Sequence, residues 1–218
     1  MGVRTDTQLI TFKDWTLRVR PALMGRPRLL LLLHGWTGDE NSMWIFVQNF
    51  PADYWIVAPR APHIARPSGY SWRPPQRGTH DVPRFQDLRP AAEALISLVD
   101  AYATDQRIDS DQFDIIGFSQ GAALTNTLAL LYPQRVRRAG VLAGFVPLDS
   151  ESLVERRPLN DKPFFVAHGT LDEMVGIEYA RQSIQILEQA GAQVTFCESQ
   201  VGHKVSADCL RALDEFFV

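Results

Sequence analysis

Residues 113–124 read Phe113-Asp114-Ile115-Ile116-Gly117-Phe118-Ser119-Gln120-Gly121-Ala122-Ala123-Leu124. The run at 113–117 is mostly apolar and does not alternate, as expected of a strand buried on both faces of a parallel sheet. The stretch at 120–131 is rich in small residues, reads as a helix and is ended by Pro133. Between them stands G-x-S-x-G. A serine at a sharp strand-to-helix turn has its hydroxyl directed away from the sheet, and bulk at the flanking positions would clash. Gly117 and Gly121 remove that bulk. The backbone N–H of Gln120 opens the helix and can donate to an oxyanion. The five-residue pattern is common by itself; the strand before it and the helix after it make it specific.

The same alternation extends in both directions. Two short stretches with strand-like alternation, 9–12 and 15–19, precede a turn region at 21–27 and a continuous aliphatic run at 29–33. A helix is expected within 39–49 and a strand at 54–58. Residues 59–83, with many Pro, Gly and Arg, read as a long excursion without regular structure, of a length often tied to function or mobility. Then come a helix at 85–103 and, after the serine turn, strands at 139–143, 163–167 and 194–198. Helices are expected at 177–189 and 206–217. Strands alternating with helices predict crossovers, a mostly parallel sheet and helices on both faces, in one domain over 1–218. Active sites in such sheets gather at the carboxyl ends of the strands.

A serine hydroxyl needs a base to take its proton. On this pattern the partners follow in the order Ser, Asp or Glu, His. His168 and His203 are the histidines after Ser119. Asp172 follows the strand at 163–167, and His203 lies after the next strand, before the last helix. His168 as base would need an acid such as Asp149 or Asp161 and would leave Asp172 and His203 without a role. The set Ser119, Asp172 and His203 is therefore the expected catalytic group, with Asp172 orienting His203. A second oxyanion donor is expected from the loop after the early strand, His34-Gly35-Trp36-Thr37-Gly38, through the N–H of Trp36. His34 precedes the serine, and a role in holding that loop is expected. Trp36, Met43, Trp44, Trp72, Phe118, Phe145 and Val175 are candidates to line an apolar acyl pocket. Trp72 stands out because a large aromatic in a Pro-rich loop has no evident core to fill.

Bulk properties exclude other classes. The 218 residues carry a formal net charge of -3 and scattered basic residues, which argues against a nucleic-acid or membrane-surface binder. The aliphatic run at 29–33 is far too short to span a bilayer. Residues 1–11 show no apolar signal-peptide core. Cys197 and Cys209, without a secretion signal, read as reduced thiols in a cytoplasmic protein. No Cys or His spacing suggests a metal site.

Several segments together resemble the small phospholipase/carboxylesterase family, which includes the acyl-protein thioesterases. They are Leu33-His34-Gly35-Trp36-Thr37-Gly38-Asp39, Pro59-Arg60-Ala61-Pro62, the stretch from Gly117 to Leu124, the stretch from Leu142 to Pro147, the stretch from His168 to Val175, and Gly202-His203. The resemblance runs from about residue 29 to the end. It implies an α/β-hydrolase fold without a large cap domain, no cofactor, Ser119, Asp172 and His203 as triad, and Trp36 and Gln120 as oxyanion donors. Such proteins often carry Leu where Trp36 stands and Trp-Phe-Asp where Ser71-Trp72-Arg73 stands. Those departures point away from long-chain or protein-lipid substrates. The expected function is a serine carboxylesterase acting on small or short-to-medium acyl esters through an acyl-enzyme. The alternatives are an acyl-thioesterase or lysophospholipase with the same triad, and a non-catalytic small-molecule-binding protein on a hydrolase scaffold. The expected partner is a small-molecule ester, and a homodimer is compatible with the sequence.

Overall fold

The computed structural model describes residues 7–74 and 82–218. Strands are β1 (Gln8–Phe12), β2 (Trp15–Arg20), β3 (Arg28–Leu33), β4 (Tyr54–Pro59), β5 (His63–Ile64), β6 (Tyr70–Ser71), β7 (Phe113–Phe118), β8 (Val136–Leu142), β9 (Pro163–Gly169) and β10 (Gln193–Ser199). Helices are α1 (Phe85–Gln106), α2 (Gln120–Leu131), α3 (Glu151–Val154), α4 (Ile177–Gln189) and α5 (Ala207–Phe217). The main sheet has the order β1-β2-β4-β3-β7-β8-β9-β10, and β5 and β6 form a separate pair. Neighbours from β4 through β10 are parallel, while β1 and β2 add an antiparallel edge. This is an α/β-hydrolase fold, as the serine turn and its flanks predict.

The continuous leucine run of β3 explains the layering. Successive strand residues point to opposite faces. Leu29, Leu31 and Leu33 join the cluster that holds Leu88 and Leu95 of α1 and Leu187 of α4. Leu30 and Leu32 join the cluster that holds Cys209, Leu213 and Phe217 of α5. A strand buried on both faces has no polar side to show, hence the absence of alternation. α2 is buried from Gln120 to Leu130. The hydroxyls of Thr125 and Thr127 within it donate to the carbonyls of Gly121 and Ala123 at 3.0 and 2.9 Å, so no buried hydroxyl is left unmade.

Three expectations change. The helix expected within 39–49 is only a short 3₁₀ turn, Trp44–Phe46. The Asp39 carboxylate accepts the N–H of Asn41 at 2.8 Å and the hydroxyl of Ser42 at 3.1 Å, and this local turn replaces a helical first turn. The excursion at 59–83 contains the β5–β6 pair; its residues 75–81 lie outside the described residues. Finally, Cys197 and Cys209 are not thiols but a disulfide, with Cα atoms 5.7 Å apart. Nothing in their separation of twelve residues announces this. The pair forms because α5 packs back on the face of β10 that carries Cys197. The cytoplasmic expectation drew partly on free thiols and loses that support. Among the described residues, no helix is long and apolar enough to cross a membrane.

Candidate active site

β7 delivers Ser119 into a sharp turn with φ 54° and ψ -115°. That left-handed backbone costs on the order of 1–3 kcal/mol for a non-glycine residue and persists only where its surroundings enforce it. Here they do. The Ser119 N–H donates to the Leu142 carbonyl at 2.8 Å, and the Ser119 carbonyl accepts the N–H groups of Ala122 and Ala123 in the first turn of α2. A methyl on Gly121 would stand 2.1 Å from the Leu33 carbonyl oxygen, so the elbow closes against β3 only with glycine there. Gln120 is the first residue of α2, and its N–H has no preceding turn to donate to.

The loop after β3 lies beside the serine. A methyl on Gly35 would come 3.3 Å from the Ser119 Cβ. His34 holds this loop: its Nδ1 is 2.7 Å from the Gly35 carbonyl and its Nε2 accepts the Ala61 N–H at 3.0 Å. Burial pushes the imidazole pKa down, which suits one ring nitrogen donating and the other accepting. Trp36 is 38% exposed on the loop.

The loops after β9 and β10 bring Asp172 and His203 together. His203 Nδ1 is 2.7 Å from Asp172 Oδ2. The other carboxylate oxygen accepts the N–H groups of Met174 and Val175, each at 2.9 Å. With Nδ1–H donating to the buried acid, the Nε2 lone pair of His203 remains for a proton. The His203 ring centroid is 5.0 Å from that of Phe118, the residue before the serine. A methyl on Gly169 would lie 2.2 Å from the Val201 carbonyl oxygen, so the acid loop rests directly on the histidine loop.

His168, the rival base, stands behind Asp172. Its buried Nε2 is 2.8 Å from the Val175 carbonyl and 3.4 Å from Asp172 Oδ2. Its Nδ1 has no hydrogen-bond partner among the described residues. Burial lowers its pKa, so it is a neutral support of the acid loop.

The candidate pocket residues divide. Trp36 is exposed; Phe118, Trp44 and Val175 are half-buried. Trp72, Met43 and Phe145 are core instead. Trp72 is 1% exposed, lies with its ring centroid 5.1 Å from that of His34 in a tilted contact and donates its indole N–H to the His34 carbonyl at 2.8 Å. The expectation that it has no core to fill fails because the β5–β6 pair folds it under the loop after β3. Met43 packs with Leu30, Leu32 and Ile56, and Phe145 with the opposite cluster. The Gln120 side chain is a feature that motif reading missed. It is buried and bonded to the backbone of Trp72 and to Ser71. Among the described residues, no group of three or more metal-ligating side chains occurs.

The strand order and the serine turn at the end of β7 define the α/β-hydrolase fold. The chain belongs to the phospholipase/carboxylesterase family, whose model matches residues 20–218. It is 32% identical over 183 residues to acyl-protein thioesterase 1 of Candida albicans, covering 74% of this chain and 78% of that protein. It is 35% identical over 105 residues to carboxylesterase SOBER1 of Arabidopsis thaliana, a match spanning 47% of this chain and 46% of that protein. A carboxylesterase of Bacillus cereus superposes with a TM-score of 0.82 at 22% identity, over 94% of each chain.

Proposed function

We propose that the protein is a serine carboxylesterase that hydrolyses small or short-to-medium acyl esters. The observation that carries this is the 2.7 Å Asp172–His203 bond, with the His203 ring beside Phe118, the residue that leads into the strained serine elbow. His203 Nε2 takes the Ser119 proton as Oγ attacks the ester carbonyl. The tetrahedral oxyanion rests on the N–H groups of Gln120 and Trp36. His203 then protonates the leaving alcohol, leaving an acyl-serine. Water, deprotonated by His203, releases the acid by the same steps in reverse order. Asp172 orients the ring and stabilises the imidazolium without taking its proton. Exposed Trp36 on the loop after β3 and half-buried Phe118 beside the serine offer apolar surface to a short acyl group.

Replacement Ser119→Ala in folded protein is expected to lower kcat on p-nitrophenyl butyrate by at least ~10³-fold. Retention of full activity would falsify the proposal. A thioesterase reading is favoured by the likeness to acyl-protein thioesterase 1. Matched oxygen and sulfur esters of equal chain length separate the two. A sharp preference for long acyl thioesters replaces the short-ester reading with that one.

A further inference from the structure

We propose that the Gln120 side chain is a positioning residue that clamps the two oxyanion donors to one another. The proposal rests on the functional reading above, in which those donors are the N–H groups of Gln120 and Trp36.

The donors come from elements far apart in sequence, and the elbow packs directly on β3 and the loop after it. The β6 segment adds a second, hydrogen-bonded link. On one side, Tyr70 is knitted to the loop after β3: the Thr37 N–H donates to its carbonyl at 3.0 Å, and its N–H donates to the Gly38 carbonyl at 2.9 Å. Gly69 passes so close that a methyl there would lie 1.9 Å from the Thr37 carbonyl oxygen. On the other side, the same segment ends on Gln120. The Trp72 N–H donates to Gln120 Oε1 at 2.9 Å, and Gln120 Nε2 donates to the Ser71 hydroxyl at 3.1 Å. That hydroxyl in turn lies 2.8 Å from the Arg73 carbonyl, which it can donate to. The indole of Trp72 closes the circuit on the His34 carbonyl.

Gln120 therefore contributes twice. Its main chain offers one donor, and its side chain holds the segment that fixes the loop carrying the other. An amide is suited to this position because it presents an acceptor and a donor at once. A buried aliphatic side chain would leave the Trp72 N–H without its acceptor, which favours displacement of the segment. A donor displaced by about an ångström weakens transition-state binding more than ground-state binding. The loss should therefore fall on kcat.

The test measures kcat and KM on p-nitrophenyl butyrate for Gln120→Leu, Ser71→Ala, the double variant and Ser119→Ala, with thermal melting as the check on folding. Folded Gln120→Leu is expected to lose about 10- to 100-fold in kcat with KM within a factor of two or so. Ser71→Ala is expected to lose less, and the double variant no more than Gln120→Leu alone, because both act through one clamp. If Gln120→Leu does not fold, Ser71→Ala carries the test through its own fall in kcat at unchanged KM. Wild-type kcat in the folded variants, a loss confined to KM, or multiplicative losses in the double variant overturns the clamp while Ser119→Ala stays inactive. An active Ser119→Ala overturns the functional reading and the clamp with it.

Discussion

The two loop groups beside the Phe118–Ser119 turn, one carrying the proposed oxyanion donors and the other the proposed acid and base, are secured by opposite means. On the oxyanion side, residues 34–38, 70–72 and 120 come from three distant parts of the chain and are joined by hydrogen bonds and close backbone contact. On the acid and histidine side, each of the two loops that meet is held mainly by contacts short in sequence. Asp172 takes N–H groups from two and three residues onward, and the loop bearing His203 is spanned by the disulfide from Cys197 to Cys209. Ser206 caps α5 by accepting the Cys209 N–H at 3.2 Å, and its hydroxyl lies 2.8 Å from that of Ser199 at the end of β10. The difference suits the tasks. Two fixed donors need a rigid frame that reaches across the fold. One imidazole needs a short tether and one orienting carboxylate.

The largest effect should come from breaking the acid side at its orienting bond. Asp172→Asn keeps the shape but removes the acceptor that selects the His203 tautomer. A fall in kcat of roughly 10³- to 10⁴-fold is expected, with little change in melting temperature. A loss of only a few fold shows that His203 is held otherwise.

Removing the tether should act on stability first. In the chain-entropy account, a cross-link closing so short a loop contributes about 3 kcal/mol. The double variant Cys197→Ser with Cys209→Ser should unfold at lower urea by that amount, with the oxyanion side untouched. An unchanged midpoint shows that packing of Leu213 and Phe217 alone seats α5.

The smallest effect reaches both sides together. Burial holds His34 and His168 below the usual imidazole value of 6.5, so both are neutral when folded. As pH falls below about 6.5 the unfolded chain takes up protons that the folded chain does not, and stability drops. Stability should be full above that pH and decline modestly toward pH 5. The carboxylates of Asp39, Glu40 and Asp53 are held low by their hydrogen bonds and ion pairs, so their loss follows at lower pH. A urea midpoint that stays level from pH 7 to pH 5 contradicts the buried neutral state.

The same contrast explains what could be read before any coordinates. β3, β7 and the serine elbow are legible because burial on both faces leaves an unbroken apolar run and the elbow demands small neighbours. The meeting of Asp172 and His203 is legible because each follows a strand. The hydrogen bonds of the Gln120 side chain are not, because Tyr70, Trp72 and Gln120 meet only after the β5–β6 pair folds under the loop after β3. Trp72 therefore passes for a pocket residue when it is core. The disulfide escapes for a similar reason: its partners touch only when α5 lies on β10. Residues 39–49 mislead in the other direction, since their apolar spacing suits a helix while Asp39 and Ser42 build a turn.

The central claim is that Ser119 is the nucleophile activated by His203. The most direct measurement is peptide mapping of the folded protein after treatment with a fluorophosphonate. One covalent adduct is expected, on Ser119, absent in Ser119→Ala and slowed in His203→Ala. An adduct on another residue, or none on folded protein, contradicts it.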